Sequence, residues 1–289
     1  MIDRYHLRYF LAVIDTGNFS RAAAACNVSQ PSLSVGIAKL EAQLGAPLFR
    51  RTSKRVELTE AGGRLAAHAR AIEAGFAQAE RAVAGSTAAG TVRLGVLAST
   101  PRRWTEEALA ALAGVRVELV EGRERELLER LARGRVDVAL TIVRAGEERF
   151  GTRVLASEGY SLALPATHAL SARESVAAEE LVNDAMIVRR HCEALSETSR
   201  FFTARGVRPF FPARTISDDR ALSYVRSGLG VTVMPDGFRE PGVARVRLDG
   251  FDLVRDIGLL VAPHADPDAV EGIAQAFETV LADEAALTA

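Results

Sequence analysis

The amino-acid sequence predicts a multidomain α+β protein with an N-terminal helix-turn-helix and β-wing, a long linking helix, and a two-lobed α/β region. Residues 18–44 predict two short helices joined by a tight turn. An apolar seam of three heptads follows within residues 62–83. After residue 90, apolar strands alternate with amphipathic helices, the pattern of an α/β domain.

The composition places the chain among ordinary globular proteins. Of its 289 residues, 48% are hydrophobic and 25% are charged, and this length allows two domains. No stretch approaches the roughly 18 consecutive apolar residues that a membrane-spanning helix needs. The first residues, MIDRYHLRYFL, lack the apolar segment and cleavage site of a signal peptide. A cytoplasmic location is therefore expected.

Charge is distributed unevenly along the chain. Residues 1–58 hold eight basic and four acidic residues, whereas the whole chain has a net charge of −1. A small basic domain on an acidic body is typical of a DNA-binding head.

The residues that usually carry catalysis or bind metals form no recognisable constellation. Two cysteines cannot build a disulfide framework, and the five histidines lack metal-ligand spacing. The sequence contains no P-loop, GxSxG, HExxH or GxGxxG motif. An enzyme is therefore disfavoured, and no cofactor or metal is expected. A solute-binding protein is the other alternative, but the basic head and the expected absence of a signal peptide argue against it.

The first helix is predicted over residues 3–15 and ends at Thr16-Gly17. Ser20 and Ser29 are the predicted N-caps of the next two helices. Residues recurring at helical period then form one apolar stripe on the second of these helices: Leu33, Ile37, Leu40 and Leu44. Gly45 is a C-cap signal.

Polar residues lie off this stripe, near the N-terminal end of the second helix. They are Gln30, Ser32 and Ser34, with Pro31 in the first turn. A recognition helix presents its base-reading side chains to the major groove at this end. The alternative is an ordinary αα-hairpin in a globular domain.

Residues 48–59 predict a short β-wing with a basic tip. The basic residues that we interpret as DNA-binding are Lys39 on the helix and Arg50, Arg51, Lys54 and Arg55 on the wing. The alternative for the wing is a solvated charged hairpin.

A long helix is predicted from Thr59 to about Val83. Its apolar seam consists of Gly62, Leu65, Ala69, Ile72, Phe76, Ala79 and Val83. Homodimerisation through this seam would place two recognition helices on a two-fold site, whereas packing against the chain's own body is the alternative. The small residues at 84–90 predict a flexible hinge.

The remaining sequence predicts two similar lobes built on parallel, doubly wound sheets. Strands are predicted at residues 91–97, 115–122, 136–143, 160–165, 185–190, 213–217, 231–235 and 256–262. Helices are predicted at residues 104–114, 123–135, 194–205, 218–228 and 267–286. Lobe one is expected at about 91–158 and 264–289, and lobe two at about 159–263, with the last helix returning to lobe one.

Three stretches resemble the LysR-type transcriptional regulators. They are residues 18–51 with LTEAG at 58–62, LERLARGRVDVALTI at 128–142, and SDDRALSYVRSGLGVTVMP at 217–235. The resemblance implies a winged helix-turn-helix DNA-binding domain at residues 1–58, a dimerising linker helix and hinge at 59–90, and a periplasmic-binding-protein-like effector domain at 91–289.

The resemblance also implies partners. Such proteins assemble as homodimers and homotetramers and bind an interrupted inverted repeat in double-stranded DNA, and an interaction with RNA polymerase is compatible with that role. The resemblance assigns DNA contacts to Gln30, Pro31, Ser32 and Ser34. It places Arg50 and Arg51 where the wing approaches the DNA. The chain departs from the family at Val35 and Gly36, where polar residues are common, so a sparse reading face is expected.

A small organic acid bound between the lobes is the expected effector. Loops after strands and at helix N-termini supply its candidate contacts. The effector-binding candidates are Ser99, Thr100, Thr141, Arg189, His191, Cys192 and Ser217. Helix capping is the alternative for Ser99 and Ser217, and Asp218 is interpreted as a cap.

Cys192 carries a second hypothesis. The His-Cys pair at residues 191–192 resembles the reactive cysteine of the family's peroxide-sensing branch, and a helix start and arginines nearby would lower the thiol pKa. The second cysteine of that branch is missing from residues 199–202. The alternatives are therefore packing or pocket lining, and a one-cysteine redox sensor.

Overall fold

The computed structural model describes residues 2–51, 56–84, 91–112, 114–147 and 149–286. An N-terminal head is followed by a long helix and then by two α/β lobes, as the sequence predicts. None of the described helices is long and apolar enough to cross a lipid bilayer.

The head contains three helices and a two-stranded wing. Its elements are α1 (Arg4–Thr16), α2 (Phe19–Ala25), α3 (Gln30–Leu44), β1 (Phe49–Arg51) and β2 (Val56–Leu58). Leu7, Phe10, Leu33, Ile37 and Leu40 are among the side chains that close its core. The apolar stripe on α3 is confirmed except at its last member, because Leu44 is 37% exposed.

The N-cap of α2 differs from the sequence prediction. Ser20 lies inside α2, and the cap is Asn18, whose side-chain oxygen accepts hydrogen bonds from the N–H groups of Ser20 and Arg21. An asparagine amide caps as well as a serine hydroxyl does, so residues 18 and 20 are both compatible with a cap. Ser29 caps α3 as predicted, accepting from the N–H of Ser32 at 3.2 Å.

Gly36 lies on the inner face of α3 and not on the predicted reading face. A Cβ at this position would lie 2.7 Å from Tyr9 Cδ2 and 3.0 Å from His6 Cδ2. The glycine therefore allows α1 and α3 to approach closely, and the expectation that it weakens the reading face is wrong.

The wing is an antiparallel pair in which Phe49 is opposite Leu58 and Arg51 is opposite Val56. Its tip, residues 52–55, lies outside the described residues, and with it the DNA-binding candidates Lys54 and Arg55.

The linking helix α4 (Glu60–Ala84) begins and ends close to the predicted positions. Its predicted seam divides into two parts. Gly62 and Ala69 are buried against the head and Leu65 is half-buried there, so the first three residues of the seam pack within the chain. Ile72, Phe76 and Ala79 are exposed, and the side chain of Val83 lies outside the described residues. Ala69 is therefore unavailable to a partner helix.

Arg70 of α4 lies where the head meets the first lobe. Its guanidinium forms an ion pair with Asp15 of α1. Its side chain also packs against the backbone of Gly134, where a Cβ would lie 2.2 Å from Arg70 Cδ. Nearby, Arg135 Nη2 donates to the carbonyl oxygen of Ile14 at 3.0 Å. The head and the lobe are thus joined by direct contacts.

The two lobes follow α4. Their elements in chain order are β3 (Val92–Leu97), α5 (Arg102–Ala111), β4 (Val117–Gly122), α6 (Glu124–Ala132), β5 (Val138–Ile142), β6 (Gly151–Glu158), β7 (Tyr160–Pro165), β8 (Ser175–Val176), a 3-10 helix (Ala178–Leu181), β9 (Val188–Arg189), α7 (Leu195–Ala204), β10 (Arg214–Thr215), α8 (Asp218–Arg226), β11 (Thr232–Pro235), β12 (Val243–Leu248), β13 (Arg255–Val261) and α9 (Pro267–Ala286).

Lobe one is built on a mixed sheet with the order β4-β3-β5-β13-β6. β3 is parallel to β4 and β5, whereas β13 is antiparallel to β5 and β6. The prediction of an all-parallel sheet is wrong here, because β13 enters as the chain returns from lobe two. β13 also moves the lobe boundary: residues 255–263 belong to lobe one, although they were assigned to lobe two. Helix α9 packs against α5, as predicted.

Lobe two contains a sheet with the order β11-β7-β12-β8 and a separate parallel pair, β9 and β10. β7 is antiparallel to both β11 and β12, so this sheet is also mixed. The strands predicted at 185–190 and 213–217 are only two residues long, extended by single bridges at Ala185 and Met186. Strands β6, β8 and β12 were not predicted from the sequence.

Gly36→Ala is expected to destabilise the protein by about 1–3 kcal/mol, the range for overpacking a close contact. The helix propensity of alanine alone predicts the opposite sign. Urea unfolding measures the difference. Gly63→Ala is the matched control, since a Cβ there meets nothing within 4 Å, and we expect it to stabilise α4 by about 0.5–1 kcal/mol. A stabilised Gly36→Ala variant would contradict the close approach.

Candidate functional site

The exposed N-terminal end of α3 is the candidate DNA-reading surface. Gln30, Pro31 and Ser32 are exposed, Ser34 is half-buried, and Val35 is 54% exposed. Gln30 Nε2 donates to Ser34 Oγ at 2.8 Å, and the hydroxyls of Ser29 and Ser32 lie 2.7 Å apart. These bonds hold the polar groups in position on one face. The face is polar apart from Pro31 and Val35.

Basic residues flank this surface. Lys39 is exposed on α3, and Arg50 is exposed on β1. Arg51 lies on β1, but its side chain is outside the described residues. Exposed basic side chains of this kind commonly contact DNA phosphates.

A buried arginine joins the two lobes. Arg255, the first residue of β13, is 4% exposed. Its Nη1 donates to Glu193 Oε1 at 2.5 Å, and its Nη2 donates to Glu158 Oε1 at 2.7 Å. Ser99 Oγ accepts from Arg255 Nη1 at 3.0 Å and donates to Glu193 Oε2 at 2.6 Å. The hydroxyl of Tyr160 donates to Glu193 Oε1 at 2.5 Å.

These five residues form the lobe clamp: Ser99, Glu158 and Arg255 from lobe one, and Tyr160 and Glu193 from lobe two. Burial alone would raise the pKa of Glu193, but the charge of Arg255 and the hydroxyls of Ser99 and Tyr160 outweigh it and lower that pKa. The carboxylate therefore stays ionised at neutral pH and holds the lobes together.

A cavity of about 450 Å³ lies between the lobes. Thr100 of lobe one and Ser217 of lobe two, both candidate effector contacts, line it. Its charged lining residues are Arg102, Glu106, Glu121, Asp218 and Asp219. Carboxylates outnumber cations in this inter-lobe cavity, which weighs against a simple organic acid as its ligand.

A second cavity, of about 950 Å³, lies wholly within lobe two. We name it the lobe-two groove. Residues of α7, β9, β10 and β11 line it, together with Cys192 and Glu193. Arg189, predicted to bind the effector between the lobes, lines this groove and not the inter-lobe cavity.

Arg189 is buried and paired with Asp218. Its Nε donates to Asp218 Oδ1, and its Nη1 donates to the carbonyl oxygen of Val233 at 3.2 Å. His191 Nε2 lies 3.0 Å from Asp218 Oδ2. Burial opposes ionisation of Asp218, but the charge of Arg189 outweighs it and lowers the pKa to about 2. Asp218 is therefore an ion-pair partner and not the predicted cap; Ser217 caps α8, accepting from the N–H of Arg220.

Cys192 does not have the activated environment that the sequence suggested. Burial raises the pKa of its thiol, although Arg189 Nη1 lies 3.2 Å from Sγ and opposes that shift. α7 begins only at Leu195, so the thiol is not in the first turn of a helix. The expectation of a lowered pKa is wrong, because desolvation exceeds the effect of the nearby cation.

The structure thus separates residues that were predicted to share one pocket. Thr141 is fully buried within β5 and lines neither cavity. Ser99 belongs to the lobe clamp, and His191 is buried beside Asp218. Sequence reasoning missed Arg255 and Glu193, although a charged residue opening the apolar run of β13 was a usable signal. Within the described residues, no cluster of His, Cys, Asp or Glu could hold a metal ion.

Comparison with known protein families covers most of the chain. Residues 5–63 match the family described as "Bacterial regulatory helix-turn-helix protein, lysR family". Residues 85–285 match the "LysR substrate binding domain".

Two curated relatives are similar along most of their length. A "Probable hydrogen peroxide-inducible genes activator" of Mycobacterium avium is 33% identical over 255 residues, covering 84% of this chain and 80% of the relative. The "Uncharacterized HTH-type transcriptional regulator YnfL" of Escherichia coli is 30% identical over 285 residues, covering 93% of this chain and 90% of the relative.

Solved structures share the fold. A full-length OxyR variant from Pseudomonas aeruginosa has a TM-score of 0.76 at 23% identity, covering 96% of this chain and 95% of that chain. Full-length CbnR complexed with its target DNA has a TM-score of 0.52 at 20% identity, covering 96% of this chain and 99% of that chain.

Arg255→Gln is expected to destabilise the protein by about 3–5 kcal/mol at pH 7, since it leaves two buried carboxylates without their cation. In the parent, ionised Glu193 contributes to the free energy of unfolding. This contribution is fully present above the unfolded pKa of about 4.3 and is lost as the pH falls below it. In the variant, protonation relieves the unpaired carboxylate of Glu193, so the loss of stability relative to the parent should be smaller at pH 4.5 than at pH 7.

Urea unfolding at the two pH values measures both effects. Arg220→Gln, at an exposed arginine of α8, is the control and should change the stability by less than about 0.5 kcal/mol. An equal loss of stability in Arg255→Gln at both pH values would contradict the pairing of Arg255 with an ionised Glu193.

Proposed function

The chain belongs to the LysR family and is a DNA-binding transcriptional regulator, not an enzyme; we propose that a small effector in the inter-lobe cavity controls its DNA binding through the lobe clamp. One observation carries this proposal. Ser99 and Thr100 are consecutive, and the first bonds to Arg255 and Glu193 while the second lines the inter-lobe cavity. A ligand that moves Thr100 therefore acts directly on the clamp.

The charge of the inter-lobe cavity suggests the effector's chemistry. Among the described residues that line it, the carboxylates of Glu106, Glu121 and Asp219 are accompanied by one cation, Arg102, and Asp218 is already neutralised by Arg189. The anion-binding groups of the clamp are already occupied by Glu193 and Glu158. The effector proposed for this cavity is therefore a small molecule with an ammonium group, and an amino acid would also satisfy Arg102.

The proposed DNA interface is the N-terminal end of α3 with the wing beside it. Gln30, Ser32 and Ser34 would read base edges, with Pro31 against the DNA. Phosphate contacts would come from Lys39, Arg50, Arg51, Lys54 and Arg55. The relationship to CbnR, whose structure was solved with its target DNA, supports this assignment.

The proposed dimer contact is the exposed part of α4. Ile72 and Phe76 are 41% and 43% exposed on one face, and Ala79 continues it. Arg4 lies over the Phe76 ring at 4.0 Å and pairs with Glu73 at 2.9 Å, so the head buttresses this face. A partner helix would cover it, and assembly of dimers into tetramers follows by analogy with the family.

A second candidate function is thiol-based sensing. Cys192 precedes Glu193 of the clamp, and relatives include proteins named as hydrogen peroxide-inducible genes activators. Peroxide would oxidise the Cys192 thiolate to a sulfenate, releasing water. The raised thiol pKa makes this reaction slow at neutral pH, so we rank it second.

Gln30→Ala is expected to lower the ratio of operator to random-duplex affinity by about tenfold, since a base contact contributes about 1–3 kcal/mol of discrimination. Arg50→Ala should weaken binding to both duplexes alike and reduce the salt dependence, because phosphate contacts are independent of sequence. Gel retardation with the DNA upstream of the gene measures both. Equal losses on both duplexes for Gln30→Ala would remove it from base reading.

Sedimentation and operator binding of a variant in α4 test the proposed dimer contact. Ile72→Glu should shift sedimentation toward the monomer and weaken operator binding, because a charge would be buried between the partner helices. Gly63→Glu places the same charge on the opposite face of α4 and should leave the assembly unchanged. An unchanged assembly in Ile72→Glu would rule out this seam.

Two variants separate the candidate functions. Amino acids and amines are screened for thermal stabilisation of the full-length chain and then for altered operator binding. We expect the response to fall about tenfold in Glu121→Gln, which removes a cavity charge, and to persist in Cys192→Ser. A response to hydrogen peroxide alone, abolished by Cys192→Ser, would instead support thiol sensing and overturn the cavity proposal.

A further inference from the structure

The lobe-two groove is separate from the inter-lobe cavity. Its lining comes entirely from residues 186–233 of lobe two, and the two cavities share no lining residue. Its volume of about 950 Å³ lies within the range of small-molecule sites, which is about 300–1,000 Å³. The groove can therefore hold a ligand that the inter-lobe cavity does not contact.

Apolar side chains form most of the lining. Val188 and Val233 contribute from the strands, Leu195 and Phe202 from α7, and Phe211 from the segment before β10. Phe202 is buried, whereas Phe211 is 39% exposed beside the opening. Such walls favour a ligand with a hydrocarbon or aromatic body.

The charged groups of the groove are unbalanced. Arg189 is 2% exposed, and its Nη2 has no hydrogen-bond partner among the described residues. Arg208 and Arg214 line the groove and are exposed. The one acidic residue in the lining, Glu193, already neutralises Arg255 through the lobe clamp. Asp218 offsets the charge of Arg189, so the uncompensated positive charge of this apolar groove is that of Arg208 and Arg214.

We propose that the lobe-two groove binds a small amphipathic organic anion, an aromatic or medium-chain carboxylate. The apolar part lies along α7 and Val233, and the carboxylate pairs with the groove's arginines. The organic acid expected from the sequence therefore has its complement inside lobe two. This site adds a second ligand to the proposed function and does not depend on which molecule fills the inter-lobe cavity.

Alkylation of Cys192 can report whether a ligand occupies the lobe-two groove. Its side chain lines the groove, so a bound ligand would shield the thiol from alkylation. Cys26, the other cysteine, lies at the end of α2 in the head and serves as an internal control. Mass spectrometry distinguishes the two modified peptides within one sample.

The experiment uses the full-length chain with octanoate and phenylacetate as probes, and octanol and benzyl alcohol as their neutral counterparts. Calorimetric titration gives the affinity, and iodoacetamide labelling gives the alkylation rates. We expect each carboxylate to bind at least about tenfold more tightly than its alcohol. Saturating carboxylate should slow alkylation of Cys192 at least about fivefold and leave Cys26 unchanged.

Three variants locate the site. Arg208→Gln combined with Arg214→Gln should lower carboxylate affinity about tenfold, and Ser199→Trp should fill the groove from α7 and abolish binding. Arg220→Gln removes an exposed arginine outside the groove and should bind as the parent does. Arg189 is left intact, because its loss would strand Asp218 and risk misfolding.

Several outcomes would overturn the proposal. They are equal binding of alcohols and carboxylates, carboxylate binding without protection of Cys192, and unchanged binding in Ser199→Trp. Protection of Cys192 that rises with protein concentration in the absence of any probe would instead mean that a second copy of the chain occupies the groove. These experiments measure ligand affinity and cysteine alkylation but not operator binding. They therefore remain interpretable even if the DNA-binding or inter-lobe proposals are wrong.

Discussion

The arrangement of the two lobes depends on the burial of one guanidinium between carboxylates. Arg255 is withdrawn from water beside Glu158 and Glu193, so each charge is stable only while the others remain in place. Glu193 belongs to lobe two, whereas Arg255 and Glu158 belong to lobe one. Separating the lobes would strand a buried charge on each side, and the closed arrangement is therefore favoured by electrostatics as well as by apolar packing.

Both cavities adjoin the lobe clamp. Glu193 of the clamp itself lines the lobe-two groove, and Ser99 of the clamp is followed by Thr100, which lines the inter-lobe cavity. Each cavity is therefore in direct contact with the ionic network or one residue away from it. Two ligands that bias one two-state element are thermodynamically coupled, and each must change the affinity of the other by the same factor.

Local patterns in the sequence predicted most of the fold. The apolar period gave the bounds of α9, and the cap signals placed α3 between Ser29 and Gly45. Arg255 could not be predicted in its role, because its partners Glu193 and Ser99 are 62 and 156 residues away along the chain. The prediction for Gly36 was wrong for the same reason, because the role of this glycine depends on contacts with another helix and not on its own helix propensity. The candidate effector residues were assigned to one pocket, whereas the structure distributes them over two cavities, the lobe clamp and the buried interior.

The joint between head and lobe one is built largely on main-chain groups. Arg135 donates to the carbonyl oxygen of Ile14, and Arg70 packs on the bare backbone of Gly134. A carbonyl acceptor remains whatever side chain its residue carries. The contact between Arg135 and the head is thus insulated from most substitutions at Ile14, whereas a side chain at Gly134 would collide with Arg70, so the joint depends on a glycine there.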